Sequence, residues 1–302
     1  MRDVSSKPYS LRTAKATAIL RCSAPTLDAI RSGNVPKADP LGVARVAAIQ
    51  AAKNTSVLIP YCHQVPLDFV GVQIELEQES IRVLTEVKAV WKTGVEMEAL
   101  SAAAAAALTL YDMLKIIDET MEIGAVRLLE KKGGKSDFAM PEGEALRAAV
   151  VVLSDKASRG EREDRSGKAI KERLEQSGLS VHDLIIIPDD ALQLRATLIQ
   201  LCDEKRLHLV LTTGGTGLGP RDITPETTKP LLDKELPGVA ERLRAFGQER
   251  NRFAMLSRGV AGIRGGTLIV NLPGSLNAVH ESLDVLFPWL LHAFPMLRGN
   301  EH

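Results

Sequence analysis

Residues 207–226 read LHLVLTTGGTGLGPRDITPE. The apolar run LHLVL is long enough for one buried strand, and it opens into four glycines within the six positions from Gly214 to Gly219. Arg221, Asp222 and then Thr224-Pro225-Glu226 come next. A short apolar run bounded by turn residues reads as a strand of a buried sheet. Bare glycine backbone just past such a strand can present N–H groups to a phosphate, and the N-terminus of a following helix adds a favourable field. The glycines taken alone read equally well as a tight turn. Thr224-Pro225-Glu226 reads as a helix start, with the Thr224 hydroxyl as N-cap and proline at the first helical position. The stretch is neither a Walker A loop nor a GxGxxG dinucleotide fingerprint.

Working outward, the same grammar repeats through the second half. AAVVVL (148–153), the run closing at 184–187, 207–212 and 268–272 are apolar strands, with helices at about 167–176 and 192–202. Continuous apolar strands separated by helices predict a three-layer α/β domain on a mostly parallel sheet. Ligands of such sheets bind at the carboxyl ends of the strands. The strands here lead into Ser154-Asp155, Pro188-Asp189-Asp190, Gly214-Gly215-Thr216-Gly217 and Pro273-Gly274-Ser275, which topology gathers on one rim. Carboxylates on a phosphate-binding rim need a cation, so Asp189 and Asp222 point to Mg²⁺, which is typically held by one or two carboxylates plus phosphate oxygens.

The first half is written differently. A helix is expected over 41–53, then two alternating runs, VQIELE (72–77) and IRVLTEVKAV (81–90), joined by the polar EQES of a hairpin. A long helix comes after them over about 95–119, with six consecutive alanines at 102–107. Hairpin plus helices without strand–helix alternation predicts an α+β domain with an antiparallel sheet, of ferredoxin-like type. Asp112 and Lys115 are three apart and share a helix face. Glu98 lies fourteen positions before Asp112, which at ~3.6 residues per turn leaves about 40° between them, so one stripe carries all three. A solvated charged face has the same pattern. Residues 131–144, KKGGKSDFAMPEGE, read as a linker. The organisation expected is a first domain over 1–137, a linker over 138–146 and a second domain over 147–302.

Composition bounds the rest. At 302 residues two domains are expected. Lys plus Arg and Asp plus Glu both number 38, and zero net charge argues against a nucleic-acid-binding protein. The three cysteines, Cys22, Cys62 and Cys202, form no CxxC pair, so neither structural zinc nor a disulfide framework is expected. The opening MRDVSSKPYS lacks the apolar core of a signal peptide, and no apolar run approaches the roughly 18–20 residues of a membrane span. A cytoplasmic protein without a membrane partner is the expectation.

SDKASRG (154–160), IPDD (187–190), TTGGTGLGPRDITPE (212–226) and NLPGS (271–275) together resemble the molybdopterin adenylyltransferase family, over about residues 147–295. That family joins AMP from Mg-ATP to the terminal phosphate of molybdopterin and releases pyrophosphate. The resemblance implies that Asp189 and Asp222 position metal and substrate. It implies further that Gly214, Gly215, Thr216 and Gly217 cradle phosphate, that Ser154 and Asp155 belong to the substrate-binding residues, and that Pro273, Gly274 and Ser275 line the pocket. Relatives often carry a polar or basic pair after LPG, where this chain has Ser275-Leu276.

KADPLGVARVAAIQAAK (37–53), LIPYCH (58–63), KTGVEMEAL (92–100), LTLYDMLK (108–115) and RLLEKKGGKS (127–136) resemble the cyclic pyranopterin monophosphate synthase family, over nearly all of 1–137. That family rearranges 3′,8-cyclo-7,8-dihydroguanosine 5′-triphosphate into a tricyclic pyranopterin with a cyclic phosphate, and pyrophosphate leaves. By motif position Asp112 is the acid/base, with Lys37 and Lys115 as proton-transfer partners. The resemblance implies that Tyr61, Cys62, His63, Met97 and Glu98 bind substrate and that Arg12 and Lys131 hold the triphosphate. A burial-depressed lysine beside an aspartate would suit proton transfer near neutral pH. Gln64 stands where relatives usually have proline. No tightly bound cofactor is implied for this half.

Both resemblances belong to molybdenum cofactor biosynthesis, so a bifunctional enzyme with pterin and nucleotide substrates is expected. Related domains are hexameric and trimeric, which implies a homo-oligomer containing a threefold axis, with other enzymes of the pathway as possible partners. The alternative is an active synthase beside a second domain that holds pterin or nucleotide without turnover.

Overall fold

The structure, a computed structural model, describes residues 1–134 and 146–299. Nearly all of the expected linker, 138–146, lies outside the described residues. The chain divides into two compact units, Met1–Phe138 and Ala139–His302.

In the first unit β1 (Ser10–Arg21) is followed by α1 (Ala24–Arg31), α2 (Pro40–Lys53) and α3 (Thr55–Leu58), then by β2 (Phe69–Leu76), β3 (Ser80–Trp91), α4 (Glu96–Leu114), β4 (Glu122–Ile123) and β5 (Arg127–Lys132). The strands lie in the order β2-β3-β1-β4, with β5 also on β1, and every pairing is antiparallel. The alternation expected in β3 is borne out: Ile81, Val83, Thr85 and Val87 are buried, and Arg82, Leu84, Glu86 and Lys88 between them are partly exposed. On the buried face lies α4, whose Ala99, Ala102, Ala103, Ala106 and Ala107 are all inaccessible. Against it packs α2, through Ala44, Ala48 and Ala52. Alanine on both helices lets the backbones approach closely without a void.

Two expectations are corrected in α4. It ends at Leu114 instead of about residue 119. The buried Asp118 breaks it: its carboxylate accepts the Ser23 N–H and Thr26 hydroxyl (both 2.8 Å) and the Thr120 N–H (3.0 Å) and hydroxyl (2.7 Å). Four bonds to a buried carboxylate outweigh another helical turn. By length and composition α4 is also apolar enough to cross a bilayer, contrary to the sequence reading, but half of it is buried inside the unit, as befits a core helix.

The second unit runs β6 (Arg147–Leu153), α5 (Asp155–Ser158), α6 (Ser166–Gln176), β7 (Ser180–Ile187), α7 (Ala191–Ile199), β8 (Leu209–Thr213), α8 (Thr224–Thr228), β9 (Lys234–Glu235), α9 (Pro237–Gln248), β10 (Ala261–Arg264), β11 (Thr267–Leu272), α10 (Leu276–Leu286) and α11 (Ala293–Leu297). The sheet order is β7-β6-β8-β11-β10-β9, parallel from β7 to β11 and antiparallel at β10 and β9. Ala149, Val151 and Leu153 pack against Leu194, Leu198 and Leu201 on and after α7. Val152 points the other way, against Gly167 of α6. The sheet is therefore covered on both faces, as its uninterrupted apolar strands require.

Candidate functional site

The parallel strands of the second unit end level with one another. Register pairs Leu153 with Ile187, Val152 with Thr213, and Thr213 with Leu272. The segments that begin at Ser154, Pro188, Gly214 and Pro273 therefore leave the sheet at one edge. Two cavities of about 540 and about 410 Å³ flank the glycine loop there, and Gly215, Asp222, Gly274 and Ser275 line both. The larger adds Thr216, Gly217 and Pro273 with an apolar wall from Leu218, Leu243, Phe253 and Leu256. The smaller is more polar and adds Ser154, Asp164, Asp189, Gly214 and Arg221.

Gly214 has φ of +102°, and a Cβ there would strike the Leu153 carbonyl, so only glycine fits. The loop is fastened from behind by Thr224, whose hydroxyl donates to the Gly214 carbonyl (2.8 Å) and whose N–H donates to the Gly215 carbonyl (3.0 Å). This corrects the N-cap expectation. The cap position of α8 is Ile223, and the fully buried Thr224 hydroxyl serves the loop instead. Ser154 and Ser275 do cap helices, accepting from Ala157 N–H (3.2 Å) and Ala278 N–H (3.4 Å). Part of their signal in the sequence is that structural role.

Asp155, Asp189 and Asp222 gather on this rim. Burial first, then the Asp155 and Asp222 charges, push the Asp189 carboxyl above its ordinary range. The Asp189 N–H and the Arg221 guanidinium hold Asp155 down. Crowded negative charge of this kind fits a divalent cation. Among the described residues no three His, Cys, Asp or Glu side chains are grouped as a metal cage. Sequence reasoning missed Arg221, Asp164 and Thr224, and it missed Thr213, whose hydroxyl ties β8 to the Pro273 carbonyl (2.7 Å). Thr213, Arg221 and Thr224 lie inside the 212–226 motif, which the sequence reading searched for its glycines and its acid, and Asp164 lies outside every motif.

In the first unit the expected residues fall into two groups. Lys37 Nζ donates to both the Asp112 carbonyl and its Oδ2 (2.9 Å each), and Lys115 Nζ lies 2.7 Å from Asp112 Oδ1. The bonds from Lys115 and then Lys37 lower the Asp112 carboxyl to about 2. The expectation of a burial-depressed lysine is corrected here: Lys115 is exposed, and its bond with Asp112 raises its affinity for a proton. Lys37 is followed by Ala38, which takes a left-handed φ of +65°, and Asp39 then caps α2 through the Leu41 and Gly42 N–H groups.

The second group lies at the other end of α4. Glu98 is 4% exposed, and burial raises its carboxyl to about 7. Its charge is close enough to Cys62 to raise that thiol, after burial. Met97 and Tyr61 are exposed, and Cys62 and His63 are half-buried. Lys131 Nζ lies 3.5 Å from Glu96 Oε1, and a Cβ at Gly134 would strike the Arg12 guanidinium. The sequence reading missed Lys7, which burial lowers and whose charge interacts with Arg2, Arg12 and Glu96. At ~1.5 Å per residue the fourteen positions from Glu98 to Asp112 span about 21 Å. The single stripe thus shares a helix face without making one site.

Comparison with known proteins divides the chain in the same way. The MoaC family model matches residues 1–134, and a model described as a probable molybdopterin binding domain matches residues 149–292. A "molybdenum cofactor biosynthesis bifunctional protein" of Chlorobaculum tepidum is 44% identical over 302 residues, covering 100% of this chain and 96% of its own length. One of the same name from Synechococcus elongatus is 38% identical, covering 100% and 98%. The "cyclic pyranopterin monophosphate synthase" of Novosphingobium aromaticivorans is 50% identical over 45% of this chain and 87% of that protein. The crystal structure of the molybdopterin biosynthesis enzyme MoaB from Thermus thermophilus aligns at 45% identity over 51% of this chain and 97% of that one, with a TM-score of 0.49.

Proposed function

Since the chain belongs to the bifunctional molybdenum cofactor biosynthesis family, we propose that its first unit makes cyclic pyranopterin monophosphate and its second adenylylates molybdopterin with Mg-ATP. What carries the second assignment is one juxtaposition: the Gly214–Gly217 loop and the acids Asp189 and Asp222 stand together at the edge of two cavities. Two cavities that share an edge suit a reaction joining two substrates through phosphate. A phosphate oxygen of molybdopterin attacks the α-phosphorus of ATP, the bond to the bridging oxygen breaks, and pyrophosphate leaves. Such transfers need positioning and charge neutralisation more than covalent chemistry. Asp189 and Asp222 would hold Mg²⁺, which supplies that neutralisation when bound. The amides of Gly215 to Gly217 orient the phosphates, and the apolar wall about Leu243, Phe253 and Leu256 excludes water from the larger cavity.

In the first unit the substrate is a cyclo-dihydroguanosine triphosphate, and pyrophosphate is lost as a cyclic phosphate closes. Asp112 is an anion at neutral pH, so in the ligand-free chain it orients the ammonium groups of Lys37 and Lys115. Proton transfer then falls to this trio once substrate displaces the ion pairs. Arg2, Lys7, Arg12 and Lys131 offer the basic groups for the triphosphate. Because this basic group and the Asp112 trio lie at opposite ends of α4, a second copy of the chain completes the site, which favours a homo-oligomer. The order β2-β3-β1-β4 with its two helical crossovers supports a ferredoxin-like reading of this unit.

Two assays test the reading. Label from α-labelled ATP should pass to molybdopterin in the presence of Mg²⁺, and an Asp189→Asn variant should not pass it. Asp112→Asn should lose formation of cyclic pyranopterin monophosphate while keeping its fold by circular dichroism. Retained synthase activity in that variant would move the acid/base role elsewhere.

A further inference from the structure

Arg258 lies in LSRG (256–259), a stretch to which the function above gives no role. Its side chain closes on the glycine loop from outside. Nε donates to the Gly217 carbonyl (2.6 Å), Nη2 donates to the Asp222 carbonyl (2.7 Å), and Nη1 donates to the Glu226 carboxylate. Its backbone N–H donates to the Thr216 carbonyl (3.0 Å). Gly217 and Asp222 are the two ends of the segment that carries the metal-binding acid, so one planar fork spans that segment and sets the distance between its ends. Within the segment the Asp222 N–H donates to the Gly219 carbonyl (3.0 Å), and the Gly219 N–H donates to Asp222 Oδ2 (2.7 Å). With glycine at 217 and 219 and no regular structure, these bonds alone do not hold the segment against its backbone entropy. Glu226, on α8, anchors the third arm of the fork. This accounts for the last residue of the TPE motif, which serves no cap.

We propose that Arg258 is a positioning residue of the second unit: it clasps Gly217–Asp222 so that the Asp222 carboxylate stands where the reaction at substrate phosphate needs it. Its kinetic consequence rests on the adenylyl-transfer reading; its geometric consequence does not. A lysine has a single ammonium and cannot span both carbonyls and Glu226 at once.

The test compares full-length Arg258→Gln and Arg258→Lys with the wild type. In Arg258→Gln, amide hydrogen exchange over 217–222 should quicken by about tenfold or more while β8 and β11 keep their protection. The kcat for pyrophosphate release from Mg-ATP and molybdopterin should fall by about 100-fold, the scale of a displaced catalytic group. KM for ATP should stay within roughly threefold, since the phosphate-binding amides before Gly217 are held by Thr224. Arg258→Lys should recover part of kcat, and Glu226→Gln, which keeps an acceptor oxygen, should stay near wild type. Unchanged exchange over 217–222 in Arg258→Gln overturns the proposal, as does a kcat within threefold of wild type. A general loss of protection across the sheet overturns it too, because Arg258 would then be holding the fold. If the wild-type chain itself releases no pyrophosphate, the adenylyl-transfer reading fails, and the exchange result alone decides for or against the clasp.

Discussion

Asp155 and Asp189 each hold the other's backbone: the Asp189 N–H donates to Asp155 Oδ1 (3.1 Å), and the Asp155 N–H donates to Asp189 Oδ2 (3.3 Å). They come directly after the adjacent parallel strands β6 and β7, so strand register brings two carboxylates together. Arg221 balances one of them, with Nη2 at 2.6 and 2.7 Å from the Asp155 oxygens. Asp189 lies deeper and beside two other carboxylates, and its own carboxyl pKa is raised as a result. The crowding of carboxylates costs some stability, which the cation proposed above would offset.

Replacing Asp189 by Asn should therefore separate activity from stability. A carboxyl whose folded pKa lies above its unfolded value loses stability as pH rises through that range. The variant should be more stable than wild type at pH 7 and no more stable at pH 3, by thermal unfolding, while pyrophosphate release falls by at least about 100-fold. A destabilised variant at pH 7 would mean that the paired backbone bonds outweigh the charge repulsion.

Thr224→Val should cost about 1–3 kcal/mol in urea unfolding of the second unit, because it orphans the buried Gly214 carbonyl. Thr224→Ser keeps the hydroxyl and should lose less. Equal losses in the two variants would assign the effect to packing of the methyl group.

Ala38 is the test of the first unit's geometry. Its φ of +65° is costly for a residue with a Cβ and worse for a β-branched one. Ala38→Gly should leave stability within about 0.5 kcal/mol, since relieved strain offsets added unfolded-state entropy. Ala38→Val should cost about 1–3 kcal/mol and lower synthase turnover by turning Lys37 away from Asp112. Full turnover in Ala38→Val would show that Lys37 does not depend on this turn.

Glu98 should make the first unit pH-sensitive. Burial raises its carboxyl from 4.5 to about 7. The folded state thus binds the proton more tightly than the unfolded state, and stability falls as pH rises from about 4.5 to 7 and is level above that. Glu98→Gln should remove the fall, gaining at most about 3 kcal/mol at pH 8 and nothing at pH 4. Urea unfolding at the two pH values checks it. An equal gain at both would mean that the carboxyl stays neutral or is solvated.

Much of this was legible in the sequence because apolar continuity and alternation are set by which faces are covered. AAVVVL can only be a strand buried on both faces, and the alternation in IRVLTEVKAV marks β3 as half-buried. The rim could be read from strand ends, which placed Asp189, Asp222 and the glycines together. What was not legible depends on contacts between distant residues. The end of α4 is set by Asp118 reaching Ser23 and Thr26, ninety-five and ninety-two positions away. Thr224 has the spacing of a cap, and only the crowded Gly214 carbonyl diverts it. The pairing of Lys115 with Asp112 at i,i+3 was visible, but its exposure, and so the direction of its pKa, was not. Arg258 bears no motif of its own.

The most direct test of the bifunctional assignment is pyrophosphate release by one purified preparation, given molybdopterin and Mg-ATP in one assay and the cyclo-dihydroguanosine triphosphate in another. Release is expected in both, with Asp222→Ala abolishing the first and leaving the second intact. Tight molybdopterin binding without pyrophosphate release from ATP would contradict the assignment and make the second unit a binding scaffold beside an active synthase.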